Sequence, residues 1–140
     1  MTNFMKISEA ASLAFHTAAY LAQNTDRLVT RHEIARKLGA SENHLSKVLQ
    51  RLVHAGLLRS SRGPSGGFMM RPSWEKIRLM EIYEAIEGPL DAEGCLLDLA
   101  ACRGNRCALG VLVRRTNESV RKHLAGTTLA ELAKGFRLET

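Results

Sequence analysis

Apolar side chains return every three or four residues between Lys6 and Gln23, at Ile7, Ala10, Ala11, Ala14, Ala18 and Leu21, with no glycine or proline among them. This spacing predicts a helix over 6–23, broken by Asn24, Thr25 and Asp26. Thr30 is placed to cap a short second helix, with Glu33 at the capping-box position and Gly39 after Leu38 to end it. Ser41 can cap a third helix, in which Leu45, Val48, Leu49 and Leu52 form one apolar stripe until Gly56 closes it. The second and third helices are joined by about three residues around Gly39, the length expected of a helix-turn-helix. From Leu57 to Pro72 the period shortens, and extended runs flank a tip of Gly63, Pro64, Ser65, Gly66 and Gly67. Helix, turn, helix and basic hairpin, in that order, make a winged helix.

Met80 to Glu87 is helical again, and Gly88-Pro89 stops it. A long helix starts at Ala108 and keeps Leu109, Leu112, Val113, Thr116, Val120 and Leu124 on one side, with Arg114, Arg115, Glu118, Arg121 and Lys122 on the other. Gly126 ends it, and Thr128 with Glu131 can box a last short helix. One apolar stripe beyond the main core either meets a partner helix or folds back on its own domain; we expect a two-fold dimer. The expected class is mainly α with a small β-hairpin wing: a winged helix-turn-helix plus a long dimerisation helix. Residues 1–88 would read DNA, 89–107 form a cysteine loop, and 108–140 hold the dimerisation and C-terminal helices, all in one compact unit. There is no internal repeat or low-complexity tract.

Charge sharpens this picture. The 140 residues carry a formal charge of +6. Residues 27–71 hold nine Lys/Arg against two acids, Glu33 and Glu42, so this segment is +7 and the remainder −1. A localised basic surface suits a polyanion, because phosphate contacts release counterions. The third helix turns Asn43, Lys47, Gln50 and His54 away from its leucine stripe, with His44, Ser46 and Arg51 beside them. In a helix-turn-helix the N-terminal part of this helix enters the major groove, so Ser41, Asn43, His44, Ser46 and Lys47 are the candidate DNA contacts. Asn can pair with adenine and Lys with guanine acceptors, while Arg51 is placed for the DNA backbone. Arg59 and Arg62 enter the wing, and Gly66 and Gly67 keep its tip small enough for phosphate to approach backbone N–H groups. The bland alternative is a solvated polar face. Paired carboxylates, a nucleophile–base pair and a phosphate loop are all lacking, and the five histidines are scattered, so no enzyme is expected.

Three cysteines, Cys95, Cys102 and Cys107, fall within thirteen residues, and the chain holds no others. An odd, dense set of thiols is poor material for disulfides and suits a metal centre. Thiolate favours iron–sulfur clusters, zinc or copper(I), but the spacing is not the C-x-x-C of zinc ribbons. Arg103 and Arg106 can offset the charge of thiolate ligands. Zinc, inert thiols and a thiol switch stay open beside a cluster. No run is long enough to span a membrane and the N-terminus has no signal-peptide pattern, so a cytoplasmic protein with reduced thiols is expected.

The stretch G-L-L-R-S-S-R-G-P-S-G-G-F at 56–68, I-Y-E-A-I-E-G at 82–88, the opening M-K-I-S-E-A-A-S-L-A-F-H at 5–16 and the cysteine set together resemble the bacterial winged-helix regulators that include IscR, NsrR and RirA. The resemblance implies a homodimer held by the long helix, a double-stranded and palindromic DNA operator, and a 2Fe–2S or 4Fe–4S cluster as sensor of nitric oxide, redox state or iron supply. Some members supply a histidine three residues after the last cysteine, where this chain has Gly110. Others take a ligand from the partner's first helix. Their acidic position falls here on Ser12, with His16 one turn later, so His16 is the candidate fourth ligand; Glu9 and Asp98 are alternatives, as is a purely local role for His16. The rivals are a winged-helix regulator without a cluster, controlled by a protein partner or thiol oxidation, and an iron–sulfur electron carrier, for which the basic wing would have no use.

Overall fold

The computed structural model describes residues 7–90 and 107–138. The hydroxyl of Ser8 accepts the Ala11 N–H at 3.0 Å, so the first helix, α1, runs Glu9–Ala22 and starts at this cap rather than at Lys6. Ala11, Leu13, Ala14 and every residue from Thr17 to Ala22 are buried. Burial on so many sides marks a central helix. Its alanines let the third, fourth and last helices and the wing approach closely.

Helix α2 spans Arg31–Leu38 and α3 Glu42–His54. Thr30 Oγ1 accepts the Glu33 N–H at 3.1 Å and Ser41 Oγ accepts the His44 N–H at 3.1 Å, as the caps predict. Gly39 takes φ 64°, a left-handed value that a side chain resists, and so closes the turn between them. The capping box is only half made. The Glu33 carboxylate turns away from Thr30 to Arg27, at 3.0 Å, and to the Tyr20 hydroxyl, at 3.1 Å, because those partners project from elsewhere in the fold. Leu45, Val48, Leu49 and Leu52 are buried, as their stripe requires.

Strands β1 (Leu58–Ser61) and β2 (Gly67–Met70) pair antiparallel, with Leu58 opposite Met70 and Ser61 opposite Gly67. A further bridge joins Val29 to Phe68 through bonds of 2.9 and 2.8 Å, fastening the wing to the segment before α2. Sequence reading did not foresee that bridge, nor the 3-10 turn at Trp74–Lys76. Helix α4 runs Leu79–Glu87, one residue earlier than the pattern suggested, and the Glu81 carboxylate accepts the Arg78 N–H at 2.8 Å.

Helix α5 covers Ala108–Gly126 and α6 Leu129–Gly135. Leu129 is fully buried, its N–H bonded to the Ile77 carbonyl at 2.7 Å, so the chain end returns to the main core. Gln23 holds the far end of α6 through the Ala133 and Phe136 carbonyls at 2.7 and 2.5 Å. Helix α5 packs on α4 but buries only Gly110 fully, and Leu109 and Leu112 are 55% and 43% exposed. Leu124 alone of the predicted stripe is packed against the core. No described helix is long and apolar enough to cross a membrane.

Candidate nucleic-acid interface and thiol site

Helix α3, the candidate reading helix, is braced by α2. Arg31 donates to Ser46 Oγ at 3.2 Å, and His32 Nδ1 lies 3.1 Å from a Glu42 carboxylate oxygen, so α2 grips the first two turns of α3. Glu33, Arg27 and Tyr20 brace α2 from the other side. Burial raises the Glu33 carboxyl, but hydrogen bonds from Arg27 and Tyr20 and the charges of Arg27 and Arg36 outweigh it and hold the group below the usual carboxylate range. Burial, with Glu33 alongside, pushes the Tyr20 phenol up. Neither bracing set was found in the sequence, since the residues face each other only after α2 packs on α3 and on α1.

On the outward face of α3, Asn43 and Lys47 are exposed, as are Gln50 and His54. Ser41 is exposed while its hydroxyl caps the helix. His44 is half-buried, 4.0 Å from Glu9, and Ser46 is half-buried beneath Arg31. Arg51, two turns from Asn43, is exposed as well, and one of its guanidinium N–H groups donates to the Ile86 carbonyl at 3.1 Å. Arg59 and Arg62 are exposed on the wing. Ser41, Asn43, Lys47 and the wing arginines thus present donors that the protein does not cover.

Gly66 and Gly67 are required by packing inside the protein. A Cβ on Gly66 would lie 2.2 Å from the Ser61 carbonyl oxygen, and one on Gly67 would lie 2.7 Å from that of Val29. The hairpin cannot close over either without a shift of backbone. Sequence reading assigned both glycines to phosphate approach, and this internal role stands beside that assignment.

Of the three cysteines, Cys107 is described: it is exposed and occupies the N-cap position of α5. Cys95, Cys102, Asp98, Arg103 and Arg106 lie outside the described residues. Among the described residues no group of three His, Cys, Asp or Glu side chains is gathered to hold a metal. His16 is exposed on α1, with Nδ1 2.6 Å from the Ser12 carbonyl and its ring edge-on to Phe136 at 5.7 Å between centroids. With Nδ1 donating, Nε2 keeps its lone pair, the arrangement that metal-bound histidines use. A locally bonded helix histidine looks the same. Three thiols in one short segment remain a donor set suited to a cluster.

Comparisons with known proteins agree with this architecture. Residues 7–135 match the Rrf2 family model, described as an iron-dependent transcriptional regulator. A chain of Aquifex aeolicus assigned as an HTH-type transcriptional regulator is 31% identical over 131 residues, covering 91% of each chain. The HTH-type transcriptional regulator IscR of Yersinia pseudotuberculosis is 32% identical over 100 residues, which are 71% of this chain and 61% of IscR. Among solved structures, CymR, the global cysteine regulator of B. subtilis, superposes with a TM-score of 0.79 at 25% identity, over 96% of this chain and all of CymR. With a winged helix-turn-helix, an uncovered reading face and a family match over nearly its whole described length, the chain belongs to the Rrf2 family of transcriptional regulators.

Proposed function

We propose that this regulator is a cytoplasmic homodimer that binds a palindromic double-stranded operator and responds to an iron–sulfur cluster held by Cys95, Cys102 and Cys107. Asn43 and Lys47, uncovered at the start of α3 beside the exposed wing arginines, are the observation that carries the DNA reading. Ser41, Asn43, His44, Ser46 and Lys47 would face the major groove, and Arg59 and Arg62 the flanking phosphates or minor groove. Two copies joined along α5 would present two such helices at the spacing of two half-sites. Cys107 heads α5, the helix we assign to the dimer, so a change at the thiols can reach the spacing of the reading helices. His16 from the partner's α1 is the proposed fourth ligand. When bound, the cluster would supply redox, nitric oxide and iron sensitivity. A change in DNA affinity then requires only that it favour one arrangement of the two subunits over another.

The likeness to CymR, which in Staphylococcus aureus has been solved in an oxidized form, favours one second reading: direct thiol control without a cluster. One experiment separates the two. The protein is purified without oxygen, its iron and sulfide are measured, and binding to its own upstream DNA is followed by gel shift. We expect a brown protein whose colour is lost in Cys95→Ala, Cys102→Ala and Cys107→Ala, while each variant stays folded and binds DNA like the iron-free wild type. Full iron content and visible absorbance in all three variants would sink the cluster assignment; a colourless wild type whose DNA binding follows thiol oxidation would establish the second reading.

A further inference from the structure

Helix α4 ends abruptly. The Gly88 N–H still bonds to the Glu84 carbonyl at 2.9 Å, but Gly88 then leaves the helix at φ 78°, and Pro89 has no N–H to give. The last carbonyls of a helix lack partners within it and need donors from elsewhere. At Ile86 the donor is Arg51, at 3.1 Å from the middle of α3. A guanidinium there also opposes the negative end of the α4 dipole. Two other elements converge on the same stretch: the Ser8 hydroxyl at the head of α1 donates to the Glu87 carboxylate, and Arg121 of α5 donates to the Leu90 carbonyl. Residues 86–90 are thus held by α1, α3 and α5, immediately before the segment that bears the cysteines.

An open cleft lies between α3 and α4, bordered by Lys47, Gln50, Arg51, His54, Ala55 and Ala85. Arg51 spans it. Asn43, Lys47 and Arg51 follow one another at four-residue steps along one side of α3, so a tether at Arg51 fixes the rotation of that side. Arg51 is exposed like its neighbours Asn43 and Lys47, and differs from them in that one of its guanidinium N–H groups donates to a protein carbonyl.

We propose that Arg51 is a positioning residue for DNA reading and not a phosphate contact: it clamps the reading helix to the end of α4, and so to the entrance of the cysteine segment. This rests on the DNA-reading assignment and is independent of what the thiols bind. The test uses the full chain, a duplex selected by the wild type from a random library, and a mixed-sequence duplex of equal length. Binding is measured across a salt series for Arg51→Ala and for Arg51→Met, which keeps the apolar stem should Ala fail to fold. Loss of a charge-assisted bond should lower affinity for the selected duplex about tenfold. Affinity for the mixed duplex and the slope of log K against log salt should match wild type. A phosphate-binding arginine would act differently: its removal would lower affinity for both duplexes in parallel and reduce the slope by about 0.9 for each phosphate no longer neutralised. Parallel loss, or no loss on either duplex, overturns the proposal. A wild type that selects no duplex would count against DNA reading itself, and that result is seen before any variant is measured.

Discussion

The Thr17 hydroxyl on α1 has no hydrogen-bond partner among the described residues, and Thr17 is itself fully buried. An unpaired buried hydroxyl costs roughly 1–3 kcal/mol. Thr17→Val replaces it with a methyl of nearly equal size and keeps the branched shape, so stability should rise by about 1 kcal/mol. For a chain of this length that is a gain of about 3 °C in Tm by calorimetry. A fall in Tm would mean that the hydroxyl holds a buried water. Glu33 shows the opposite outcome for a polar group. Its carboxylate is drawn from its expected helix-cap role into an ion pair with Arg27 and a hydrogen bond from Tyr20, which locks α2 against α1.

Among the elements, the wing depends most on one atom's absence. Gly67 runs past Val29 so closely that a Cβ would sit 2.7 Å from one backbone atom and 2.9 Å from another. Backbone yields less readily than a flexible side chain, so Gly67→Ala must open the Val29–Phe68 bridge or twist β2. The expected loss is about 1–3 kcal/mol, as for other overpacked sites. In urea the midpoint should drop with an unchanged m value. Affinity for DNA should fall too, since the bridge aims Arg59 and Arg62. An unchanged midpoint would show that β2 shifts freely and that the bridge does not hold the wing. The caps of three helices, by contrast, were legible residue by residue. Caps at Thr30, Ser41 and Thr128 all accept the N–H three residues on, because capping is decided within one turn of chain.

At the scale of the whole molecule, α5 is the element that one copy leaves unfinished. Leu109 and Leu112 stay 55% and 43% exposed, Val113 and Val120 are not fully buried, and the opposite side carries charges. A helix with one bare apolar stripe is completed by a second copy of itself more economically than by water. Leu112→Glu should therefore give monomers by light scattering and lower operator affinity, since the proposed dimer would read two half-sites together. Because Leu112 is already half open in one copy, the melting of the isolated fold should change little. A dimer that survives Leu112→Glu would place the interface away from this part of α5.

Periodicity, caps and glycines determined the helix order, the turn at Gly39, the hairpin and the leucine stripe of α3, because each of these is a local property of a few consecutive residues. The pattern also marked the outward face of α3, where Asn43 and Lys47 are exposed as expected. The partners of the remaining groups came only from folding. Arg51 has the composition of a DNA contact and the position of an α4 cap; Gly66 and Gly67 suit a phosphate and are demanded by Ser61 and Val29. Glu33 suits a capping box and binds Arg27 and Tyr20. For Glu33 the partners brought up by tertiary packing outweigh the cap preference written along the chain, and for Arg51, Gly66 and Gly67 packing adds a partner or close neighbour that consecutive residues do not reveal.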